Sequence, residues 1–89
     1  MPPLAQPPPW WDWELELSVH AEQRMFERGV TEVDLRAMLE GARSVRPNHV
    51  EGRFVVETRH DGKAWAVVVE PDEQLESVVI VTVYNTERA

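Results

Sequence analysis

The sequence contains no cysteine, and several features that mark common functional classes are also absent or scarce. Without cysteine there are no disulfides, no thiolate metal ligands and no cysteine nucleophile. The four glycines are scattered and form no phosphate-binding loop. No apolar run approaches the roughly 18 residues of a membrane helix, and no signal-peptide pattern is present. We therefore expect no membrane attachment and a cytoplasmic location.

Metal-binding patterns are missing as well. The three histidines, His20, His49 and His60, are far apart and show none of the short spacings of zinc motifs. Serine, histidine and aspartate are all present, but no motif places them together as a nucleophilic triad. The sequence therefore predicts a protein with no metal ion and no cofactor.

Basic residues are few, with nine against sixteen acidic ones and a net charge of −7. A chain this acidic is a poor general binder of nucleic acid, because phosphate repels it. The charge is unevenly distributed, however: residues 24–63 carry eight basic and seven acidic side chains, whereas the two ends together carry one basic and nine acidic. The central segment can therefore present a local basic surface.

The length of 89 residues predicts one small domain. Five of the seven prolines lie in the first nine residues, where they exclude a helix interior or a central strand. We therefore predict a flexible leader rich in proline and tryptophan over residues 1–12 and a single domain over residues 13–89. Since three indoles are costly to leave in water, we expect at least one of Trp10, Trp11 and Trp13 to pack on the domain edge or on a partner.

The first part of the domain is predicted to contain a short strand and two helices. Residues 13–17 alternate apolar and acidic side chains, as a half-buried strand does. Ser18 is a good helix N-cap and Gly29 a good helix stop, so a first helix is predicted between them. A second helix is predicted between Thr31, which begins a capping-box variant, and Gly41.

The rest of the chain is rich in β-branched residues and predicts strands joined by turns. The predicted strands are Phe54–Arg59, Ala64–Glu70 and Ser77–Tyr84, and the predicted turns are Pro47-Asn48, His60-Asp61-Gly62 and Pro71–Gln74. Strands joined by short turns pair antiparallel. The predicted fold class is α+β, with two N-terminal helices packed on one face of a three- to four-stranded antiparallel sheet.

Polar side chains are predicted to share the outer face of this sheet. Alternation places Arg53 and Glu57 on one side of their strand. On the last strand, Thr82 and Tyr84 are predicted to share that outer face with Ile80. The opposite face of this strand, which we expect to pack against the helices, consists of Val79, Val81 and Val83. The outer face is either a substrate floor or an ordinary polar surface, and the pattern leaves both open.

The first predicted helix carries a row of cationic and titratable side chains. His20, Arg24 and Arg28 are spaced i, i+4, i+8 and project from one face over two turns. An imidazole can transfer a proton near neutral pH, and guanidinium groups can stabilise the charge that develops on a phosphorus centre. The alternative is a solvated helix face on which Glu27 pairs with a neighbouring arginine.

Several of these residues also form a recognisable signature. The segment 18–29 fits the pattern S-x-H-A-x-x-R-M-x-x-R-G, and Gly52-Arg53-Phe54 and the strand ending at Tyr84 follow it. Over residues 15–87 the sequence thus resembles a bacterial family of domains of unknown function. That family is similar to the RelE and BrnT-like toxins, which belong to a group of small metal-independent ribonucleases.

The resemblance implies a toxin-like domain that cleaves RNA and is partnered by an antitoxin-like protein. His20 would be the general acid or base, and Glu57 is a candidate for the other role. The residues expected to neutralise the phosphorane-like transition state are Arg24, Arg28 and Arg53. Thr82 or Tyr84 would position the phosphate or stack on a base.

A non-catalytic protein-interaction domain with the same fold is the competing hypothesis. It would bind a protein through the cluster of tryptophans at residues 10–13, the acidic surface or a sheet edge. The net charge and the absence of a basic run favour it. A homodimer formed through edge strands or through the tryptophans is compatible with either function.

Overall fold

The computed structural model describes residues 6–87, and within this range the chain forms two helices and five strands. In chain order they are β1 Glu14–Leu17, α1 Val19–Arg28, α2 Glu32–Glu40, β2 Ser44–Pro47, β3 Phe54–His60, β4 Lys63–Asp72 and β5 Ser77–Asn85. The first five residues of the predicted leader lie outside the described residues, as do residues 88–89 of the predicted domain.

All five strands of the described chain form one sheet, in the order β1-β5-β4-β3-β2. The predicted three to four strands were too few, because only the turn at Pro47-Asn48 was predicted in this region and no strand was predicted before it. Pro47 ends this strand, and proline is tolerated there because β2 lies at the sheet edge. The expectation of a purely antiparallel sheet was also wrong, since β1 pairs parallel with β5. No hairpin joins these two strands and so no turn determines their relative direction.

Local signals set the bounds of both helices as predicted. The Ser18 side chain accepts a hydrogen bond from the Ala21 backbone N–H at 3.0 Å, and Gly29 ends α1 in the left-handed conformation with φ of 70°. Thr31 and Asp34 form a reciprocal capping box at the start of α2. Among residues 6–87, neither helix is long and apolar enough to cross a membrane.

One face of the sheet shares a buried core with side chains from both helices. Ala21 and Met25 contribute from α1, and Leu35 and Met38 contribute from α2. The sheet contributes Val56, Trp65, Val67, Val69, Val78, Ile80 and Val83. Because α1 packs chiefly against β5 and α2 contacts β3, the helices lie along different parts of this core.

An extra residue in β5 changes which side chains reach this core. Val69 of β4 pairs with Ile80, but the preceding Val68 pairs with Thr82, so Val81 is an additional residue at a β-bulge. A bulge reverses the alternation of side chains beyond it.

The predicted valine face of β5 is therefore wrong. Ile80 is fully buried in the helix-side core, whereas Val81 packs against a separate cluster that excludes the helix residues. Val79 lies opposite Glu70 and is only half-buried. Val83 does reach the helix-side core, but it does so beyond the bulge.

Two tryptophans of the predicted leader contact the domain. Trp10 and Trp11 pack against the helix-side core, and the Trp10 ring centroid lies 5.2 Å from that of Phe54. Trp13, which begins the predicted domain, packs against the same core.

Candidate functional site

The sheet face opposite the helices has a small apolar floor. Val55, Ala66 and Val68 are buried there, and Val81 and Tyr84 pack against them. Because alanine and valine side chains are short, longer polar side chains around them rise above the floor. This apolar floor lies in the region where a substrate floor was predicted.

Strand register brings the predicted polar residues of this face together. Glu57 of β3 and Tyr84 of β5 both pair with Ala66 of β4, so the three form one row across the sheet. With neighbouring strands about 4.8 Å apart, the backbones of Glu57 and Tyr84 lie roughly 10 Å apart. Thr82 pairs with Val68 and stands in the next row on the same face. Between them in this row lies the buried Ala66, against whose cluster Tyr84 packs.

Carboxylates and arginines on this face are already paired. The Ser44 hydroxyl donates to Oε1 of Glu57 at 2.7 Å, and Nε of Arg46 lies 3.7 Å from the same oxygen. Nε of Arg53 donates to Oε1 of Glu70 at 2.9 Å. The Arg53 and Glu70 side chains are 37% and 48% exposed. Ion pairs this exposed are worth only about 0–1 kcal/mol, so a phosphate can compete for the guanidinium.

Sequence reasoning did not identify Ser44 and Arg46 as part of this surface. The available signal was the alternation of Ser44, Val45 and Arg46. Val45 packs against the helix-side core, so its two neighbours in the strand face the other way. It was missed because a strand of four residues ending in proline was interpreted as leading into a turn.

The predicted phosphate-handling row lies on α1. His20 is exposed, and the Arg24 and Arg28 side chains are 40% and 34% exposed. Oε1 of Glu27 lies 2.8 Å from Nη1 of Arg24 and 3.9 Å from Nη1 of Arg28. One carboxylate thus accompanies two guanidinium groups, which is the arrangement expected for a solvated helix face and also leaves a local excess of positive charge.

The predicted site residues therefore fall into two groups. In the described part of the chain, no hydrogen bond or ion pair connects the α1 row to the residues of the open sheet face. Both groups adjoin β5. The Ser18 backbone N–H, just before α1, donates to the Ile80 carbonyl at 3.2 Å, and the Ser18 hydroxyl donates to the Val81 carbonyl at 3.3 Å. The first turn of α1, which contains His20, consequently adjoins β5 just before Thr82.

In the described residues, neither group of predicted site residues has the geometry of a metal site. Among residues 6–87, no three histidine, aspartate or glutamate side chains are gathered closely enough to hold a metal ion. The chemistry available on these surfaces is that of carboxylate, imidazole, phenol and guanidinium groups.

The fold is similar to the folds of the RelE and BrnT toxins. The crystal structure of the ribonuclease toxin BrnT from Brucella abortus matches with a TM-score of 0.65 at 15% identity, covering 85% of this chain and 99% of that one. The toxin–antitoxin complex RelBE2 from Mycobacterium tuberculosis matches with a TM-score of 0.53 at 19% identity, covering 82% of this chain and 90% of that one. At these identities the likeness shows the fold alone.

The chain itself belongs to the family described as "Domain of unknown function (DUF4258)", whose model matches residues 17–85. The match begins after the tryptophans and includes α1 with its histidine and arginines. The predicted resemblance to a family of unknown function with a toxin-like fold is thus confirmed at the level of family and fold. No curated protein sequence matches the chain.

Proposed function

We propose that this domain is a toxin-like ribonuclease that cleaves RNA without a metal ion. The observation that carries the proposal is the row in which Glu57 and Tyr84 stand on either side of Ala66. A carboxylate and a phenol there share a row with a small apolar residue between them, and Arg46 and Arg53 lie on the same side of the sheet. In this proposal a ribose-phosphate unit lies across the row, with its charge directed toward the guanidinium groups.

The proposed reaction is an internal attack by the ribose. A base removes the proton of the 2′-hydroxyl, and the resulting oxygen attacks the adjacent phosphorus. The bond from phosphorus to the 5′-oxygen breaks, and an acid protonates that leaving oxygen. Glu57 and His20 are the candidates for the base and the acid, since a carboxylate can accept a proton and an imidazole can donate one.

Charge on the phosphorane-like transition state is assigned to the arginines. Arg53 would act from the open face, and Arg24 and Arg28 from α1 along the border with β5. Their ion pairs with carboxylates are exposed and weak, so exchange for phosphate oxygens costs little. Thr82 would position the phosphate, and the ring of Tyr84 would stack on a base.

The two toxins of similar fold support this proposal. BrnT is described as a ribonuclease toxin, and RelBE2 is a complex of a toxin with its antitoxin. By analogy we propose RNA as the substrate and an antitoxin-like protein as the partner of this domain, acting in the cytoplasm. Because the net charge of −7 gives no long-range attraction to RNA, we expect recognition to depend on short-range contacts.

Cleavage of a single-stranded RNA by the full chain tests the proposal. We expect Glu57→Gln and His20→Ala each to slow cleavage by about 10²-fold or more, as loss of a general acid or base does. His49→Ala is the matched control, because His49 is exposed in the loop between β2 and β3 and has no role in the proposed reaction. Excess EDTA should leave the rate unchanged. Equal rates for the wild type and both site variants would refute the proposal.

One observation favours a second function, a non-catalytic protein-interaction domain. Arg24, Arg28 and Arg53 all lie within 4 Å of a carboxylate, which is the arrangement expected if these arginines serve only the surface of the fold. Such a domain would bind a partner protein, or a second copy through an edge strand, without cleaving RNA. A stable complex with the product of an adjacent gene, combined with no RNA cleavage by the free domain, would establish this function instead.

A further inference from the structure

The helix side of the molecule contains a pocket that the proposed RNA site does not use. It lies between the N-terminal segment, α2 and the sheet, and its volume is about 310 Å³. This is at the lower end of the range for small-ligand sites. Among its lining residues are three indoles, Trp10, Trp11 and Trp13, and two carboxylates, Asp12 and Glu40.

Two of the indoles, Trp10 and Trp11, lie against each other at an angle. The Trp10 ring is held against Phe54 at a centroid distance of 5.2 Å. The Trp11 ring lies 5.8 Å from that of Trp10, and the two planes are inclined by 50°. Because the face of an aromatic ring carries negative electrostatic potential, non-parallel rings around a pocket attract a cation from more than one side.

The charges around this pocket are predominantly negative. Within residues 6–87, neither Asp12 nor Glu40 forms an ion pair. Arg36 also lines the pocket, but its guanidinium is paired with Glu32 on α2, at 3.1 Å from Nη2 to Oε2. The uncompensated carboxylates therefore stand beside the aromatic walls.

We propose that this pocket binds a small organic ammonium cation with alkyl substituents. Such an ion is weakly hydrated, and its apolar surface packs on indole rings while its charge is attracted by them and by Asp12 and Glu40. A strongly hydrated metal ion does not suit the pocket, because the aromatic walls offer no oxygen ligands. The site is independent of the proposed ribonuclease activity.

Calorimetric titration of the full chain with choline and with 3,3-dimethyl-1-butanol tests the proposal. The two molecules have nearly the same shape, but only choline is charged. We expect choline to bind about 10-fold more tightly than the neutral isostere, because cation–π and carboxylate attraction act on choline alone. Equal affinities, or no saturable binding of choline, would overturn the proposal.

Variants that remove a single carboxylate charge test whether choline binds beside the tryptophans. Glu40 is exposed, so Glu40→Gln should fold normally, and we expect it to weaken choline binding about 3-fold without changing the binding of the isostere. Glu73→Gln is the matched control, since it removes the same charge from an exposed position in the turn between β4 and β5. An equal loss of choline affinity in both variants would show a general surface-charge effect and would contradict a site at the tryptophans.

Discussion

At the scale of single residues, Asp34 illustrates how one carboxylate stabilises a helix start. The Thr31 backbone N–H donates to Oδ2 of Asp34, and the Asp34 backbone N–H donates to the Thr31 hydroxyl oxygen, both at 3.0 Å. Hydrogen bonding of the carboxylate to Thr31, first to its backbone N–H and then to its side chain, lowers the pKa of the Asp34 carboxyl, with a smaller electrostatic contribution from His60. The ionised carboxylate is therefore favoured in the folded state.

A pH dependence of folding follows from this lowered pKa. The stabilisation by Asp34 is present above the unfolded-state pKa of about 3.9 and is lost as the pH falls through the lower folded-state pKa. We expect the wild type to exceed Asp34→Ala in free energy of unfolding at pH 6, and the difference to shrink steadily between pH 4 and pH 2. Urea denaturation at several pH values measures it. A difference that is constant over this range would contradict the assignment.

Separation along the chain explains why some side-chain pairs could be predicted and others were not. Thr31 and Asp34 are three residues apart, and helix geometry alone brings them together. Arg53 and Glu70 are 17 residues apart and meet only because β3 and β4 pair in one particular register. The two-residue turn Asp61-Gly62 fixes that register, since the pairing runs without a break from His60 with Lys63 to Phe54 with Val69. The pairing of Arg53 was not predicted because the turn was interpreted as His60-Asp61-Gly62 and no register was derived from it.

At the scale of elements, the bulge in β5 decides which side chains enter the core. The alternation before Val81 directs Ile80 toward the helices, and the alternation after it directs Val83 the same way. Thr82 and Tyr84 consequently face the open side, as predicted, although the valine pattern predicted the wrong core face. A run of β-branched residues carries no mark of a bulge, because every residue in it is compatible with either face.

Two matched truncations test this assignment. Ile80→Ala removes a fully buried side chain, and we expect it to reduce the free energy of unfolding by about 2–5 kcal/mol. Val79→Ala shortens a half-buried side chain on the other face, and we expect a loss below about 1 kcal/mol. Chemical denaturation of both variants measures the two losses in free energy of unfolding. The opposite ranking would restore the face predicted from the valine pattern.

At the scale of the whole molecule, packing against the core extends beyond the residues that the family model matches. The family model begins at Leu17, yet Trp10, Trp11 and Trp13 pack against the same core as the two helices. Indole rings bury large apolar areas, so three of them add substantially to the small core of an 89-residue chain. The boundary predicted after residue 12 stays a prediction that a stability measurement decides.

Truncation of a single indole provides that measurement. We expect Trp10→Ala to lower the free energy of unfolding by about 1–3 kcal/mol, because its ring packs on Phe54 and on Trp11. Gln6→Ala, an exposed position in the same segment, is the control and should change little. If Trp10→Ala is as stable as the wild type, the segment before Trp13 is a leader that contributes nothing to folding.

The sequence by itself determined the two helices, their caps, the main β-rich runs and the uneven charge. These features depend on contacts between residues close in the chain. Only the tertiary structure decided the strand order, the parallel pairing of β1, the bulge at Val81 and the grouping of Glu57 with Tyr84 across Ala66. Each of these depends on which distant strands pair and in what register. Outside the β3–β4 hairpin, whose two-residue turn fixes its own register, strand pairing is selected by how the layers pack and not by a local pattern.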